Sequence, residues 1–195
     1  MRDQVEKVIG VTWQQRRMLQ SLAAASVPYA NAISIRMEKD ARIAELGSIC
    51  SRLVERHEAF RTGFEFRDGG WRQIIYQPVD VVPSECVLGN SGLAGFYRQF
   101  GTEFTIDSYP LFRFTVCRSE NECYLVLEKH LLVSDEASDE LIVREIRDMA
   151  SGRSAPGKPA TLHSDYTLWQ DKFLVSQRGR EMGQYWEKYA DLHPG

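Results

Sequence analysis

Segments with the two-residue period of a β-strand alternate along this chain with segments of helical period, and this alternation restricts the fold most strongly. Two strand-like runs, residues 111–117 and 123–133, flank a short polar turn and precede a helical pattern over about 137–150. Asp40 stands before another helical pattern, as an N-cap residue does. The alternation predicts an α/β fold in which helices pack on a mixed sheet.

Capping and turn residues delimit the other predicted elements. The helices are expected at about 13–25 (capped by Thr12), 92–102 (capped by Ser91), 163–176 and 178–192, and the strands at 29–37, 60–66 and 71–76. The last two strands flank Asp68-Gly69-Gly70, which predicts a hairpin. Residues 151–160, rich in Gly and Pro, are expected to form a loop.

Composition excludes several classes of function. Lys and Arg number 24 against 27 Asp and Glu, and a net charge of -3 argues against nucleic-acid binding and against a basic membrane-binding surface. No apolar run reaches the roughly 18 residues that a transmembrane helix needs, and no signal-peptide pattern opens the chain. The four cysteines have no metal-binding spacing. We therefore expect a cytoplasmic protein without a metal site.

Four ordered segments resemble the motifs of one family. Residues 12–18 read TWQQRRM, 56–64 read RHEAFRTGF, 130–138 read HLLVSDEAS and 164–169 read SDYTLW. They are similar, in this order, to the SxAQxRM, RHExLRTxF, HHxxxDGxS and YxDYAxW motifs of nonribosomal peptide synthetase condensation domains. These domains belong to the chloramphenicol acetyltransferase-like superfamily. An ordered series is far more specific than any one of its motifs.

The resemblance implies a single sandwich lobe of the chloramphenicol acetyltransferase-like type over residues 1–195, with a mixed sheet covered by helices. A complete domain of this family has two such lobes, and the resemblance covers the N-terminal one. We expect residues 185–195 to begin the linker to a C-terminal lobe that is missing from this sequence.

The active-site motif departs from the family at the position most important for chemistry. The resemblance assigns amide-bond formation to the second His of HHxxxDG, and Leu131 stands there. A leucine cannot accept the proton of an amine. His130, at the first His position, is expected to be structural, although a slipped register would make it the catalytic residue. Glu136 replaces the motif Gly and would be a substitute base only if buried.

Other motif residues receive structural roles from the resemblance. Asp135 is expected to form a salt bridge with Arg17 and also to cap the following helix. Lys129 is expected to be a cation at a strand end. The residues with architectural roles are Arg56, His57, Glu58, Arg61, Asp165 and Trp169.

The motifs with architectural roles are kept, whereas the active-site motif is altered. This combination predicts a degenerate, non-catalytic lobe that docks a carrier protein or a neighbouring synthetase domain. The pathway would be nonribosomal peptide or hybrid peptide–polyketide biosynthesis. No cofactor would bind directly, and the phosphopantetheine arm of the carrier would be the presented ligand. Exposed apolar surface would pair with the missing C-terminal lobe or, by self-association, form a homodimer.

Two alternatives remain open. The chain could be half of a split or truncated condensation or acyltransferase enzyme that forms an amide or ester from carrier-tethered acyl groups, because substrate positioning alone contributes much of a rate. It could also hold a tethered acyl chain without reacting it.

Overall fold

In a computed structural model, the chain is described at residues 4–22, 30–99, 104–106, 109–153, 157, 159 and 161–192. The strands are β1 (Val5–Ile9), β2 (Ala30–Met37), β3 (Thr62–Arg67), β4 (Gly70–Tyr76), β5 (Ser84–Val87), β6 (Phe112–Arg118) and β7 (Cys123–His130). The helices are α1 (Trp13–Leu22), α2 (Ile43–Arg56), α3 (Gly92–Gln99), α4 (Glu136–Ala150), α5 (His163–Leu174) and α6 (Gln177–Leu192). A 3-10 turn, Glu58–Arg61, joins α2 to β3.

The strands form two sheets. The larger has the order β2-β7-β6-β5, with β5 parallel to β6 and the other pairs antiparallel, and the smaller antiparallel sheet has the order β1-β4-β3. The α/β class with a mixed sheet is confirmed. The sequence patterns missed β1 and β5, because both are short edge strands with little apolar alternation.

The structure confirms the predicted cap of α1 and the predicted β3–β4 turn. The Gln15 amide donates to Thr12 Oγ1 over 3.2 Å, so Thr12 caps α1 as predicted. Asp68 and Gly69 both have positive φ, 52° and 75°, which gives the two-residue turn of the predicted β3–β4 hairpin. The predictions over residues 23–29, 100–102 and 193–195, and over 154–156, 158 and 160 of the expected loop, lie outside the described residues.

Three predicted element boundaries were wrong. The strand predicted from residue 60 begins at Thr62, because Glu58–Arg61 form a 3-10 turn. Asp40 does not cap α2, because a turn closed by the Ala41 amide on the Glu38 carbonyl separates Asp40 from the helix, which begins after Arg42. Strand β7 ends at His130 instead of Val133. The Val133 amide donates to the His130 carbonyl over 3.1 Å, so the chain turns here and leaves the sheet.

The main core lies between the larger sheet and the pair α2 and α4. Inward residues of β6 and β7, such as Val116 and Leu125, contact Leu53 of α2 and Ile146 of α4, and all four are fully buried. The opposite face of the sheet packs against α3 through Phe96 and neighbouring residues. Among the described residues, no helix combines the length and apolarity needed to cross a membrane.

A buried ion pair joins the sheet to α4. Lys129 has 0% of its surface exposed, and its Nζ lies 2.6 Å from Asp139 Oδ1 and 2.5 Å from Asn31 Oδ1. Asp139 also accepts hydrogen bonds from Asn31 Nδ2 and Ser134 Oγ, each over 3.1 Å. Lys129 lies one residue before the end of β7, as the expectation of a strand-end cation requires, but its burial was not predicted. The core-facing register of β7 carries Lys129 inward, where Asp139 compensates its charge.

We predict that Asp139→Asn destabilises the fold by roughly 3–5 kcal/mol, because it leaves the Lys129 ammonium buried without a counter-charge. Lys129→Met combined with Asp139→Asn should recover most of this loss. The free energy of urea unfolding measures both effects. Asp148→Asn is the matched control, because Asp148 pairs with the exposed Arg153 over 2.5 Å and its loss should cost under about 1 kcal/mol. Equal costs for the two single variants would contradict the prediction.

Candidate active-site cleft

All four motif segments contribute residues to one cleft of about 410 Å³, the second segment through Ala59 and Thr62. The start of α1 lies on one side, the turn between β7 and α4 on another, and the start of α5 on a third. Leu131 lines this cleft with 36% of its surface exposed. The motif position expected to carry a base therefore faces open space, with a side chain that has no hydrogen-bonding group.

His130 is held inside the protein. It has 2% of its surface exposed, and its Nδ1 accepts a hydrogen bond from the Leu132 amide over 3.0 Å. Burial lowers its pKa to about 4, so its imidazole is neutral at neutral pH. Leu131 lines the cleft whereas His130 does not, an arrangement that favours the gapless alignment of the motif over the slipped one.

Asp135 and Arg17 are not brought together. Asp135 Oδ1 accepts hydrogen bonds from the Ser138 hydroxyl over 2.5 Å and from its amide over 2.8 Å, which caps α4 as predicted and lowers the Asp135 pKa. The Arg17 guanidinium lies 4.9 Å from the centre of the Trp13 ring. Within the described ranges no salt bridge joins Asp135 to Arg17, because each side chain has a nearer local partner.

Glu136 lies in the first turn of α4 and is exposed to solvent. A carboxylate at this position interacts favourably with the helix dipole. It is not among the residues that line the cleft. The geometry therefore does not supply the burial that a substitute base at Glu136 requires.

A buried amide network forms the back of the cleft. Gln15 Oε1 accepts from the Thr12 amide over 2.9 Å, and its Nε2 donates to the Leu132 carbonyl and to Gln73 Oε1, each over 3.3 Å. Gln73 is fully buried and donates to the Gly10 carbonyl over 2.8 Å. The network fixes α1 against the turn that carries Leu131. Sequence reasoning missed Gln73, although a lone amide beside the apolar Ile-Ile pair of β4 was a usable signal.

The segment Arg56-His57-Glu58 forms ionic contacts on another side of the lobe. Glu145 of α4 accepts from Arg56 Nε over 3.0 Å and lies 2.7 Å from His57 Nε2. Glu58 binds Lys7 Nζ over 2.5 Å. Burial opposes ionisation of Glu58, but hydrogen bonds from Lys7 and Ser164 outweigh it and lower the pKa of this carboxyl.

The remaining architectural residues stabilise individual elements. Arg61 donates to the Val54 carbonyl over 3.0 Å and to Glu6 over 2.6 Å. Asp165 Oδ2 accepts from the Leu162 amide over 2.9 Å at the start of α5. Trp169 is exposed and stacks on Phe173 with ring centres 5.2 Å apart. In the part of the chain that the structure describes, no group of three or more His, Cys, Asp or Glu could hold a metal ion.

A family model described as Condensation domain matches residues 5–193. The chain belongs to the condensation domain family. Surfactin synthase subunit 1 of Bacillus subtilis (strain 168) is 29% identical over 185 residues, which cover 93% of this chain and 5% of that protein. Gramicidin S synthase 2 of Aneurinibacillus migulanus is 26% identical over 188 residues, 94% of this chain and 4% of that protein. The chain thus spans a small part of these condensation-domain relatives.

Solved condensation domains share the fold. The condensation domain from monacolin K polyketide synthase superposes with a TM-score of 0.77 at 20% identity, over 95% of this chain and 43% of that one. The X-domain from teicoplanin biosynthesis gives a TM-score of 0.77 at 19% identity, over 89% of this chain and 40% of that one. The chain therefore has the fold of somewhat less than half of a solved condensation domain.

The buried His130 predicts a loss of stability in mild acid. Because its pKa is about 4 in the folded protein and 6.5 ordinarily, the unfolded chain takes up a proton first as the pH falls. The contribution of His130 to the free energy of unfolding is complete above a pH of about 6.5, its ordinary pKa. It declines as the pH falls towards about 4, its pKa in the folded protein. We expect His130 to contribute a loss of roughly 2 kcal/mol between about pH 7 and about pH 5.

Urea unfolding at a series of pH values tests this expectation. His130→Asn is the control, because its side-chain oxygen can accept the Leu132 amide without titrating. The variant should show a weaker pH dependence over the same range. An unchanged slope in the variant would show that other groups cause the acid sensitivity.

Proposed function

We propose that this condensation domain chain acts in nonribosomal peptide or hybrid peptide–polyketide biosynthesis as a lobe that docks a carrier protein. It would receive the phosphopantetheine-tethered acyl group in the Leu131 cleft without itself catalysing amide formation. One observation carries the proposal: the cleft and its supporting network are intact, whereas the motif position that faces it is a leucine. Loss of a positioned base typically costs about 10²–10⁴ in rate.

The cleft lining suits a tethered acyl group. Leu131, Met18 and Val133 offer apolar surface for an acyl chain, and Gln14 and Tyr166 add polar groups for amides like those of phosphopantetheine. A cleft of about 410 Å³ also lies within the size range of small-molecule sites. These features support binding and require no base.

An apolar surface on the last two helices supports pairing with a second lobe. Its exposed residues are Leu174, Val175, Met182, Tyr185, Trp186 and Tyr189. Large exposed apolar patches commonly mark interaction sites. We propose that a C-terminal lobe covers this surface in the working domain, that α6 from residue 185 leads into the interlobe linker, and that a second copy of the chain is the alternative occupant.

The binding proposal predicts that Leu131→Arg weakens binding of an acyl-loaded carrier protein at least about tenfold, because the longer, charged side chain would occupy the space of the acyl chain. Leu168→Arg is the matched control. Leu168 is also an exposed leucine, 46% against 36% for Leu131, but it does not line the cleft. Titration calorimetry with holo and acyl-loaded carriers measures the effect. Absence of binding to either carrier would overturn the proposal.

Restoring the base tests the claim that amide formation is lost. With a C-terminal lobe of a condensation domain supplied as a separate chain, Leu131→His should raise the rate of acyl transfer to an amine by about 10²-fold or more. Leu168→His should leave the rate unchanged. The rate is followed by mass spectrometry of the amide product. If the unaltered chain already forms amide as fast as Leu131→His, the alternative of a split but active enzyme is the better interpretation.

A further inference from the structure

The cleft without a base at Leu131 still contains one side chain that can accept a proton near neutral pH. Of its described lining residues, only Asp135, His163 and Tyr166 are ionisable. Asp135 is occupied by its hydrogen bonds to Ser138, which lower its pKa and make it a weak base. The Tyr166 hydroxyl is engaged by a hydrogen bond from Gln170 Nε2 over 3.0 Å. His163 is therefore the group to consider.

The imidazole of His163 is free to meet a ligand. His163 is the first residue of α5 and is exposed on the cleft wall. Across the described part of the chain, no hydrogen bond or salt bridge engages its ring nitrogens; its recorded ring contact is with Tyr166, at 6.3 Å between centres. A histidine in a cleft with both nitrogens available can exchange protons with a bound molecule.

The start of α5 is held rigidly, which gives His163 a fixed position. The Ser164 amide donates to Glu58 Oε2 over 3.3 Å, and Lys7 Nζ donates to Ser164 Oγ over 3.2 Å. Thr167 Oγ1 donates to the His163 carbonyl over 3.1 Å. The Glu58–Lys7 pair thus anchors the residue that directly follows the histidine.

The surroundings keep His163 in its basic form. Partial desolvation of the ring at the cleft wall lowers the pKa of His163, and the negative charge of Glu58 opposes this effect only in part. The Glu58 charge is itself paired with Lys7 of β1, and Asp165 on α5 is engaged in capping the helix. The ring is therefore neutral at neutral pH and has a lone pair to accept a proton.

We propose that His163 is the general base for slow hydrolysis of a carrier-tethered acyl thioester in this cleft. This inference rests on the proposed function, because it requires the cleft to receive such a thioester. The nucleophile in this proposal is water. Leu131 and His163 are both exposed in the cleft, so water can reach them, and Leu131 has no group that could align an amine.

The reaction balances without a further reagent. The oxygen of water bonds to the thioester carbonyl carbon, and His163 takes one proton from that water. The C–S bond then breaks, and the leaving thiolate receives the proton from the imidazolium. The products are a free carboxylic acid and the free thiol of the phosphopantetheine arm.

The test measures thiol release from an acyl-loaded carrier protein by the unaltered chain, His163→Asn and His163→Phe. The unaltered chain should accelerate release by about 10²-fold over the carrier alone, and both variants should lose this acceleration while still binding the carrier. Leu168→Asn, on the same helix but outside the cleft lining, is the control and should keep the rate. The rate should rise with pH and level off below the ordinary histidine pKa of 6.5.

The outcomes separate this inference from the proposed function. Failure of the unaltered chain to bind the loaded carrier overturns both. Binding without any accelerated release, or with release that His163→Asn leaves unchanged, overturns the role of His163 alone. A rate that is independent of pH around the histidine pKa would also overturn it.

Discussion

The hydrogen bond from the Leu132 amide to the His130 imidazole decides which part of the active-site motif reaches the cleft. It turns the chain out of β7 and holds His130 in the interior, so that Leu131 faces the open space. The neighbouring Lys129 is fixed on the opposite side of the strand by Asp139. Three consecutive residues thus have three separate environments, set by the alternation of the strand and by one turn.

Around this turn the protein keeps the scaffold of a condensation domain. The amide network of Gln15 and Gln73 connects α1, β4 and the turn through hydrogen bonds of 2.8–3.3 Å. Buried polar groups of this kind are costly to leave unpaired, so the network also fixes the shape of the cleft. Leu131 therefore lies in a cleft whose walls are fixed by buried hydrogen bonds.

A second set of contacts positions the opposite wall. Glu58 and Lys7 hold the start of α5, while Glu145 joins α4 to the end of α2 through Arg56 and His57. The residues of the RHE segment thus act at a distance from the cleft, by placing the elements that form it. The position of His163 follows from these ionic contacts.

The sequence by itself determined the α/β class, most helices and strands, the resemblance to condensation domains and the absence of a base at Leu131. These depend on local periodicity, on capping residues such as Thr12 and Asp135, and on the order of motifs. It did not predict β1 and β5, which are strands only because a neighbouring strand supplies their hydrogen bonds.

Only the tertiary structure decided the partners of the charged and polar residues. Arg17 stacks on Trp13 and does not pair with Asp135, Lys129 is buried against Asp139, and His163 lies in the same cleft as Leu131. Such contacts join residues far apart in the chain, and their geometry depends on how helices pack on the sheet. Local sequence records which groups are available, but their distances and burial are set by the packing of the whole lobe.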